Sequence, residues 1–163
     1  MIKHSRWLNL LALLIIPATL FSTPLQDRAN DVRVNAWAKP DKIKRGRTVQ
    51  ANVEMDIPKG LHVQSNKPLD KYLVATKLDI EVPKGVRVST PIYPRPVLAN
   101  LKFAKGKVSV FEGKALIRFN VTVPPGYSGK SAEIKGRLRF QACTDDACFA
   151  PITREVKMWV NIE

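Results

Sequence analysis

The sequence predicts an all-β protein built as an antiparallel β-sandwich, and three observations support this prediction. From about residue 31 onward, apolar and polar residues alternate in short segments, as they do in half-buried strands. Pro, Gly, Asn and Lys separate these segments at intervals of roughly 8–12 residues, a spacing typical of sandwich folds. After the N-terminal apolar run, no stretch keeps the apolar period of an amphipathic helix.

About eight or nine strands are expected, each ending at residues that favour turns. In chain order they are 32–37, 48–55, 61–64, 73–82, 86–88, 108–111, 115–123, 132–140 and 154–162. Pro-Lys-Gly at 58–60 and at 83–85, and Pro-Pro-Gly at 124–126, close three of them. Pro91, Pro94 and Pro96 exclude a helix or a central strand between them, because proline lacks the backbone donor. Residues 28–163 are therefore expected to form one domain.

The N-terminus has the pattern of an export signal. Lys3 and Arg6 precede an apolar run from Trp7 to Phe21, about fifteen residues that suit a signal-peptide core and are short for a membrane span. Residues 1–23 are predicted to be a signal peptide, with an uncleaved N-terminal anchor as the alternative. Either way, the following domain is expected in the periplasm or another export compartment, where disulfides persist.

The chain is strongly basic, with a formal net charge of +13. Such a charge indicates acidic neighbours, for example anionic lipid head groups, cell-wall polymers or an acidic partner. The densest cluster is Lys42, Lys44, Arg45 and Arg47, and no aromatic residue is interleaved there to stack on bases. We therefore expect no nucleic acid partner. The cluster is interpreted as a solvated loop, and weak contact with an anionic surface is left open.

The two cysteines of the chain, Cys143 and Cys148, lie in the segment FQACTDDACFAP, residues 140–151. The residues between them have turn chemistry, since Asp side chains bond nearby backbone N–H groups. If a hairpin forms, the cysteines face each other with Cα atoms about 4.5 Å apart, within disulfide reach. So short a loop stabilises the fold by only about 2 kcal/mol. The residues themselves leave two interpretations open, a structural staple and a redox-active dithiol.

This segment resembles the active-site hairpin of the N-terminal periplasmic domain of the thiol:disulfide interchange protein DsbD. The family pattern is an aromatic residue, Gln, a small residue, Cys, four or five residues, Cys, an aromatic or aliphatic residue, and Pro. Two weaker matches lie upstream in the expected order. They are PKGLHV at 58–63, and YPRP at 93–96 followed by VSVFEG at 108–113. The resemblance covers most of residues 31–163.

The resemblance implies an immunoglobulin-like fold and a role in thiol–disulfide interchange, as a component of a protein-disulfide reductase without a cofactor. The domain would relay electrons from a membrane thiol-disulfide reductase to exported, thioredoxin-like acceptor proteins. Cys148 would attack the partner's disulfide and Cys143 would resolve the mixed disulfide. Gln141 matches a family residue beside the pair. Phe103 is the candidate for the aromatic residue of the family's cap loop, with an ordinary core position as the alternative.

The best-known family member continues into a membrane domain and a thioredoxin-like domain. This chain is therefore expected to act as a separate, monomeric domain that receives electrons from another protein. The competing hypothesis is an immunoglobulin-like binding or assembly module whose disulfide is purely structural. Asp145 and Asp146 lie beside the cysteines without a neighbouring cation in the sequence. Their negative charge disfavours the thiolate, which predicts that the free dithiol reacts slowly. His62 is interpreted as a satisfied strand residue, and no ligand spacing predicts a metal site.

Overall fold

The computed structural model describes residues 26–163, which form a short 3-10 helix, Gln26–Asp31, followed by twelve strands. The strands are β1 (Arg33–Lys39), β2 (Lys42–Ile43), β3 (Thr48–Ile57), β4 (His62–Gln64), β5 (Lys77–Glu81), β6 (Arg87–Val88), β7 (Val97–Asn100), β8 (Lys107–Phe111), β9 (Gly113–Thr122), β10 (Ser131–Phe140), β11 (Ala142–Cys143) and β12 (Ile152–Ile162). The predicted signal peptide, 1–23, lies outside the described residues. Within 26–163, no helix is long and apolar enough to cross a bilayer.

The strands form three four-stranded sheets, with the orders β1-β3-β9-β6, β2-β12-β10-β5 and β11-β4-β8-β7. Every pairing between these strands is antiparallel except that of β2 with β12, which is parallel. Together the sheets make an immunoglobulin-like sandwich, so the predicted fold class is confirmed.

The core follows from the alternation in the long strands. In β10, Ala132, Ile134, Leu138 and Phe140 are wholly buried, while the residues between them are more exposed, except Gly136. β10 pairs with β12 over its full length, and β3 pairs with β9 in the same way. Each large apolar side chain buried here contributes about 1.5–3 kcal/mol. The segments with the most regular alternation of apolar and polar residues therefore form the longest and most central strands.

The structure differs from the prediction where short strands depend on distant partners. β2 and β7 were not predicted, and the expected strand 73–82 is a strand only at Lys77–Glu81. The N–H of Val74 donates to the side chain of Gln141, and that of Thr76 donates to Ser65 O. Because those donors are already satisfied outside a ladder, the segment before Lys77 does not need strand pairing.

The third sheet carries the cysteine segment at its edge. β11 pairs with β4, with Cys143 opposite His62, and β4 pairs in turn with β8. A second apolar cluster packs beside this sheet, formed by the buried Leu101, Val108 and Val110 with the partly buried Leu73, Ala99, Phe103 and Ala104. The chain passes from β8 to β9 through Glu112 and Gly113, whose φ of 58° suits a residue without a Cβ. This turn brings Glu112 next to β4.

Candidate functional site

The two cysteines form a disulfide across the neck of a hairpin. Cys143 ends β11, and Cys148 lies opposite it as an isolated antiparallel bridge. The sulfur atoms are 2.04 Å apart and the Cα atoms 3.9 Å apart. The predicted facing arrangement is therefore confirmed, with a Cα separation shorter than the roughly 4.5 Å expected for such a pair.

Residues 144–147, which we call the cysteine loop, are held by Thr144 rather than by the Asp side chains that the sequence suggested. Thr144 Oγ1 accepts from the backbone N–H of Asp146 at 3.3 Å and of Ala147 at 3.2 Å. The N–H of Thr144 donates to Ala147 O at 2.8 Å. A hydroxyl can close a turn in the same way as a carboxylate. The carboxylates of the loop are consequently free to bond other parts of the chain.

The two sulfur-bearing residues differ in exposure. Cys143 is wholly buried, whereas Cys148 is partly exposed. Phe140 and Phe149, which flank the pair in the sequence, are both buried. Of the two, Cys148 is therefore the residue nearer to solvent, and thiol–disulfide exchange depends on access to a sulfur.

Gln141 joins the hairpin to its surroundings through both ends of its side-chain amide. Its Oε1 accepts from the N–H of Val74 at 2.8 Å, and its Nε2 donates to Phe149 O at 3.1 Å. Gln141 thus connects the residue after Cys148 to the segment before β5. The structure places this predicted site residue beside the cysteines, but its contacts are with backbone groups.

Gln64 is a site residue that the sequence analysis missed. It is wholly buried, and its Nε2 lies 3.3 Å from Cys143 Sγ and 3.9 Å from Cys148 Sγ. Gln64 lies two residues after His62, the strand partner of Cys143, and so shares its face of β4. Nothing in the local sequence connects a residue of β4 with cysteines about 80 positions away.

His62 links the cysteine loop to the β8–β9 turn, and its ring is satisfied as expected. Its Nε2 lies 3.0 Å from Asp145 Oδ1 and its Nδ1 lies 2.7 Å from Glu112 Oε1. Because a carboxylate only accepts, both bonds form together when each ring nitrogen carries a hydrogen. Within residues 26–163, no group of three or more His, Cys, Asp and Glu side chains is arranged to hold a metal ion.

Asp146 is paired with a cation from another loop. Lys102 Nζ donates to Asp146 Oδ1 at 3.0 Å, and this hydrogen bond raises the pKa of Lys102. The sequence analysis inferred an unbalanced negative charge beside the cysteines, because it could examine only sequence neighbours. In the structure, Lys102 balances the charge of Asp146, whereas Asp145 and Glu112 both bond to the single His62 ring, so the slow reaction of the free dithiol stays a prediction.

The segment 101–106, which we call the cap loop, lies next to the cysteine loop. The N–H of Lys102 donates to Asp145 O at 2.7 Å. Phe103 is partly buried and packs with the second apolar cluster. A cavity of about 490 Å³ lies on this side of the protein, and the exposed Leu69 and Tyr72 line it together with Phe103. Phe103 thus packs with apolar neighbours inside a loop that is bonded to the cysteine loop.

The chain is similar to known proteins in family and in fold. The sequence matches the family described as "Thiol:disulfide interchange protein DsbD, N-terminal" over residues 33–159. No curated protein matches the sequence. Among solved structures, the N-terminal periplasmic domain of ScsB from Proteus mirabilis has a TM-score of 0.52 at 14% identity, over 80% of this chain and 46% of that one. The DsbD N-terminal domain of Neisseria meningitidis, in the reduced form, has a TM-score of 0.47 at 18% identity, over 82% of this chain and 94% of that one.

Proposed function

Because the chain belongs to the family of the N-terminal domain of the thiol:disulfide interchange protein DsbD, we propose that it relays electrons through Cys143 and Cys148. Family membership and the Cys143–Cys148 disulfide support thiol–disulfide interchange. The observation that carries the proposal is the placement of this disulfide in a hairpin at a sheet edge, with one sulfur-bearing residue partly exposed. The electron donor is a membrane thiol-disulfide reductase, and the acceptors are exported thioredoxin-like proteins in the periplasm.

The proposed reaction is a pair of thiol–disulfide exchanges. The Cys148 thiolate attacks one sulfur of the acceptor disulfide, and one acceptor thiolate leaves. The Cys143 thiolate then attacks Cys148 Sγ, which restores the intramolecular disulfide and releases the second acceptor thiolate. Two electrons have passed to the acceptor, and the same steps in reverse with the reductase return the pair to the dithiol. The greater exposure of Cys148 supports its role as the attacking residue.

Two further residues support the pair in this proposal. Gln141 keeps the two sides of the hairpin in register through its bonds to Val74 N and Phe149 O. Phe103 shields the disulfide as part of the cap loop, which is bonded to the cysteine loop through Lys102. A docking partner would displace the cap loop before exchange begins.

The reduction potential of the pair tests the proposal. We expect a value between roughly −180 and −270 mV, the range of thiol–disulfide exchange proteins, in glutathione or dithiothreitol buffers. The fold should remain intact in both redox states. A value below roughly −300 mV, together with clear destabilisation on reduction, would instead make the disulfide structural and the domain a binding module.

A matched pair of variants tests the order of attack. Cys143→Ser keeps the exposed cysteine and removes the resolving one, so it should trap a mixed disulfide with oxidised thioredoxin. Cys148→Ser keeps only the buried cysteine and should trap little or none. Gel electrophoresis under non-reducing conditions measures both yields. Equal trapping by the two variants would contradict the assignment of Cys148 as the attacking residue.

A further inference from the structure

Gln64 places a buried amide against both sulfurs of the disulfide. Its Nε2 lies within 3.3 Å of Cys143 Sγ and 3.9 Å of Cys148 Sγ. Disulfide sulfurs accept hydrogen bonds and have no hydrogen to donate, so the amide nitrogen, rather than the oxygen, faces them. A donor in this position stabilises whichever sulfur carries negative charge, because hydrogen bonding to a charged form favours that form.

The position of this amide is set by the backbone on both sides of the residue. The N–H of Gln64 donates to Gln141 O at 2.9 Å, and the carbonyl of Gln64 accepts from Thr76 Oγ1. Gln64 also pairs with Val110 of β8. In the oxidised protein the donor therefore already lies beside the sulfur before a charge develops there, so reduction of the disulfide requires no movement of the amide.

The oxygen of the Gln64 amide has an unusual environment. Gln64 Oε1 is buried and has no hydrogen-bond partner within residues 26–163, whereas buried polar groups are normally paired. The oxidised pair offers this oxygen no donor. The reduced pair has two S–H groups, and rotation of the amide would let Oε1 accept from the Cys143 thiol. One side chain can thus form a hydrogen bond with the disulfide, with the thiolate and with the thiol.

We propose that Gln64 is a catalytic residue whose amide stabilises the buried Cys143 thiolate during exchange, an inference that rests on the proposed function. When a partner thiolate attacks Cys148 Sγ, a new S–S bond forms there and the Cys143–Cys148 bond breaks. The electron pair of the broken bond stays on Cys143 Sγ, which then takes a proton from solvent. In the opposite direction Cys143 loses that proton and attacks Cys148, so the same thiolate is stabilised.

Gln64 is the side chain in position to stabilise a thiolate at Cys143. Burial in apolar surroundings disfavours a thiolate, and Cys143 is wholly buried. The nearby side chains of His62 and Lys102 are bonded to the carboxylates of the cysteine loop. Among the side chains of the described residues, Gln64 is the donor recorded within hydrogen-bond distance of Cys143 Sγ.

The rate constant for reduction of the oxidised full chain by glutathione, measured across a range of pH, tests the inference. Gln64→Met keeps the length of the side chain and removes the amide. We expect reduction to slow by about tenfold to a hundredfold, the effect of losing one hydrogen bond to a charged group. Asn52→Leu, which removes a buried amide from β3 in another sheet, is the matched control and should leave the rate unchanged.

A second variant keeps the test meaningful if methionine disturbs the fold. Gln64→Glu has nearly the shape of the native side chain but becomes negatively charged as the pH rises. The ratio of its rate to the wild-type rate should fall with increasing pH, which a packing role would not produce.

The outcomes separate this inference from the proposed function. If glutathione reduces the wild-type protein and both Gln64 variants match its rate and pH profile, Gln64 has no catalytic role and the proposed function stands. If the wild-type disulfide resists reduction, with a potential below roughly −300 mV, the proposed function is wrong and the inference fails with it.

Discussion

Single polar side chains hold the cysteine hairpin against the rest of the sandwich. Gln141 and His62 each bond two segments that are distant in sequence. These bonds satisfy backbone and carboxylate groups near the edge of the third sheet. Loss of the Gln141 bonds leaves the backbone groups of Val74 and Phe149 without their partner, which costs more than the bonds themselves contribute.

Gln141→Leu should lower the free energy of unfolding by about 1–3 kcal/mol, because Val74 N and Phe149 O lose their partner. Urea denaturation of the oxidised protein measures the change. Gln50→Leu is the matched control, since Gln50 is exposed on β3 and should change stability little. An equal loss in both variants would refute a specific role for Gln141.

The partly buried phenol of Tyr93 should make the stability sensitive to alkaline pH. Burial raises its pKa above the ordinary 10.0, although the bond from Leu78 N opposes the shift. The folded protein therefore holds the phenol proton more tightly than the unfolded chain. The resulting stabilisation is complete below pH 10.0 and is lost as the pH rises through the pKa of the folded state.

The unfolding free energy of Tyr93→Phe should consequently fall less between about pH 9 and pH 11 than that of the wild-type protein. Urea denaturation at both pH values measures the difference. Tyr72→Phe changes an exposed tyrosine and should follow the wild-type protein. Identical pH dependence in all three proteins would mean that Tyr93 titrates alike in the folded and unfolded states.

At the scale of elements, two hydrogen bonds from Lys102 join the cap loop to the cysteine loop. The ion pair between Lys102 and Asp146 is exposed on both sides, and exposed pairs contribute little. The backbone bond from Lys102 to Asp145 and the packing of Phe103 therefore hold the cap loop. The proposed shielding of the disulfide should depend on that packing more than on the ion pair.

Phe103→Ala should accelerate reduction of the disulfide by dithiothreitol severalfold, because a loosened cap loop increases access to Cys148. Leu98→Ala, at an exposed position of β7 next to the loop, is the control and should leave the rate near that of the wild type. Stopped-flow or thiol-trapping kinetics give both rates. No acceleration in Phe103→Ala would favour the alternative that Phe103 is an ordinary core residue.

The sequence predicted a strand well when the strand was long and its alternation of apolar and polar residues was regular. The long strands β9 and β10 were evident, because their alternation is regular and one face is buried. β2 and β11 have only two residues each, too few to show a period. β7 follows a run of prolines and lies at a sheet edge, where a strand tolerates such neighbours.

For the whole molecule, the disulfide adds little to the free energy of unfolding, because the sheets and their core already stabilise the fold. The core comprises side chains from both long-stranded sheets and from β4 and β8. The loop closed by the disulfide is short, with a sequence separation of 5. A constraint on so few residues removes little entropy from the unfolded chain. The fold should therefore persist in both redox states, as a carrier requires.

Reduction should lower the free energy of unfolding by about 2 kcal/mol and leave the circular dichroism spectrum unchanged. Urea denaturation with and without dithiothreitol measures the loss. The double variant Cys143→Ala, Cys148→Ala should resemble the reduced protein and serves as the control. Unfolding on reduction would show that the disulfide maintains the fold and would support the structural alternative.

The amino-acid sequence by itself determined the features that depend on local spacing. Alternation predicted the sandwich, and the spacing of Cys143 and Cys148 predicted a hairpin pair whose pattern indicated the family. Tertiary structure decided the surroundings of that pair, because Gln64 and His62 approach it from about 80 residues away. It also paired the carboxylates of the cysteine loop with the distant side chains of His62 and Lys102. No local pattern encodes such contacts, since they arise only when β4, β8 and β11 assemble into one sheet.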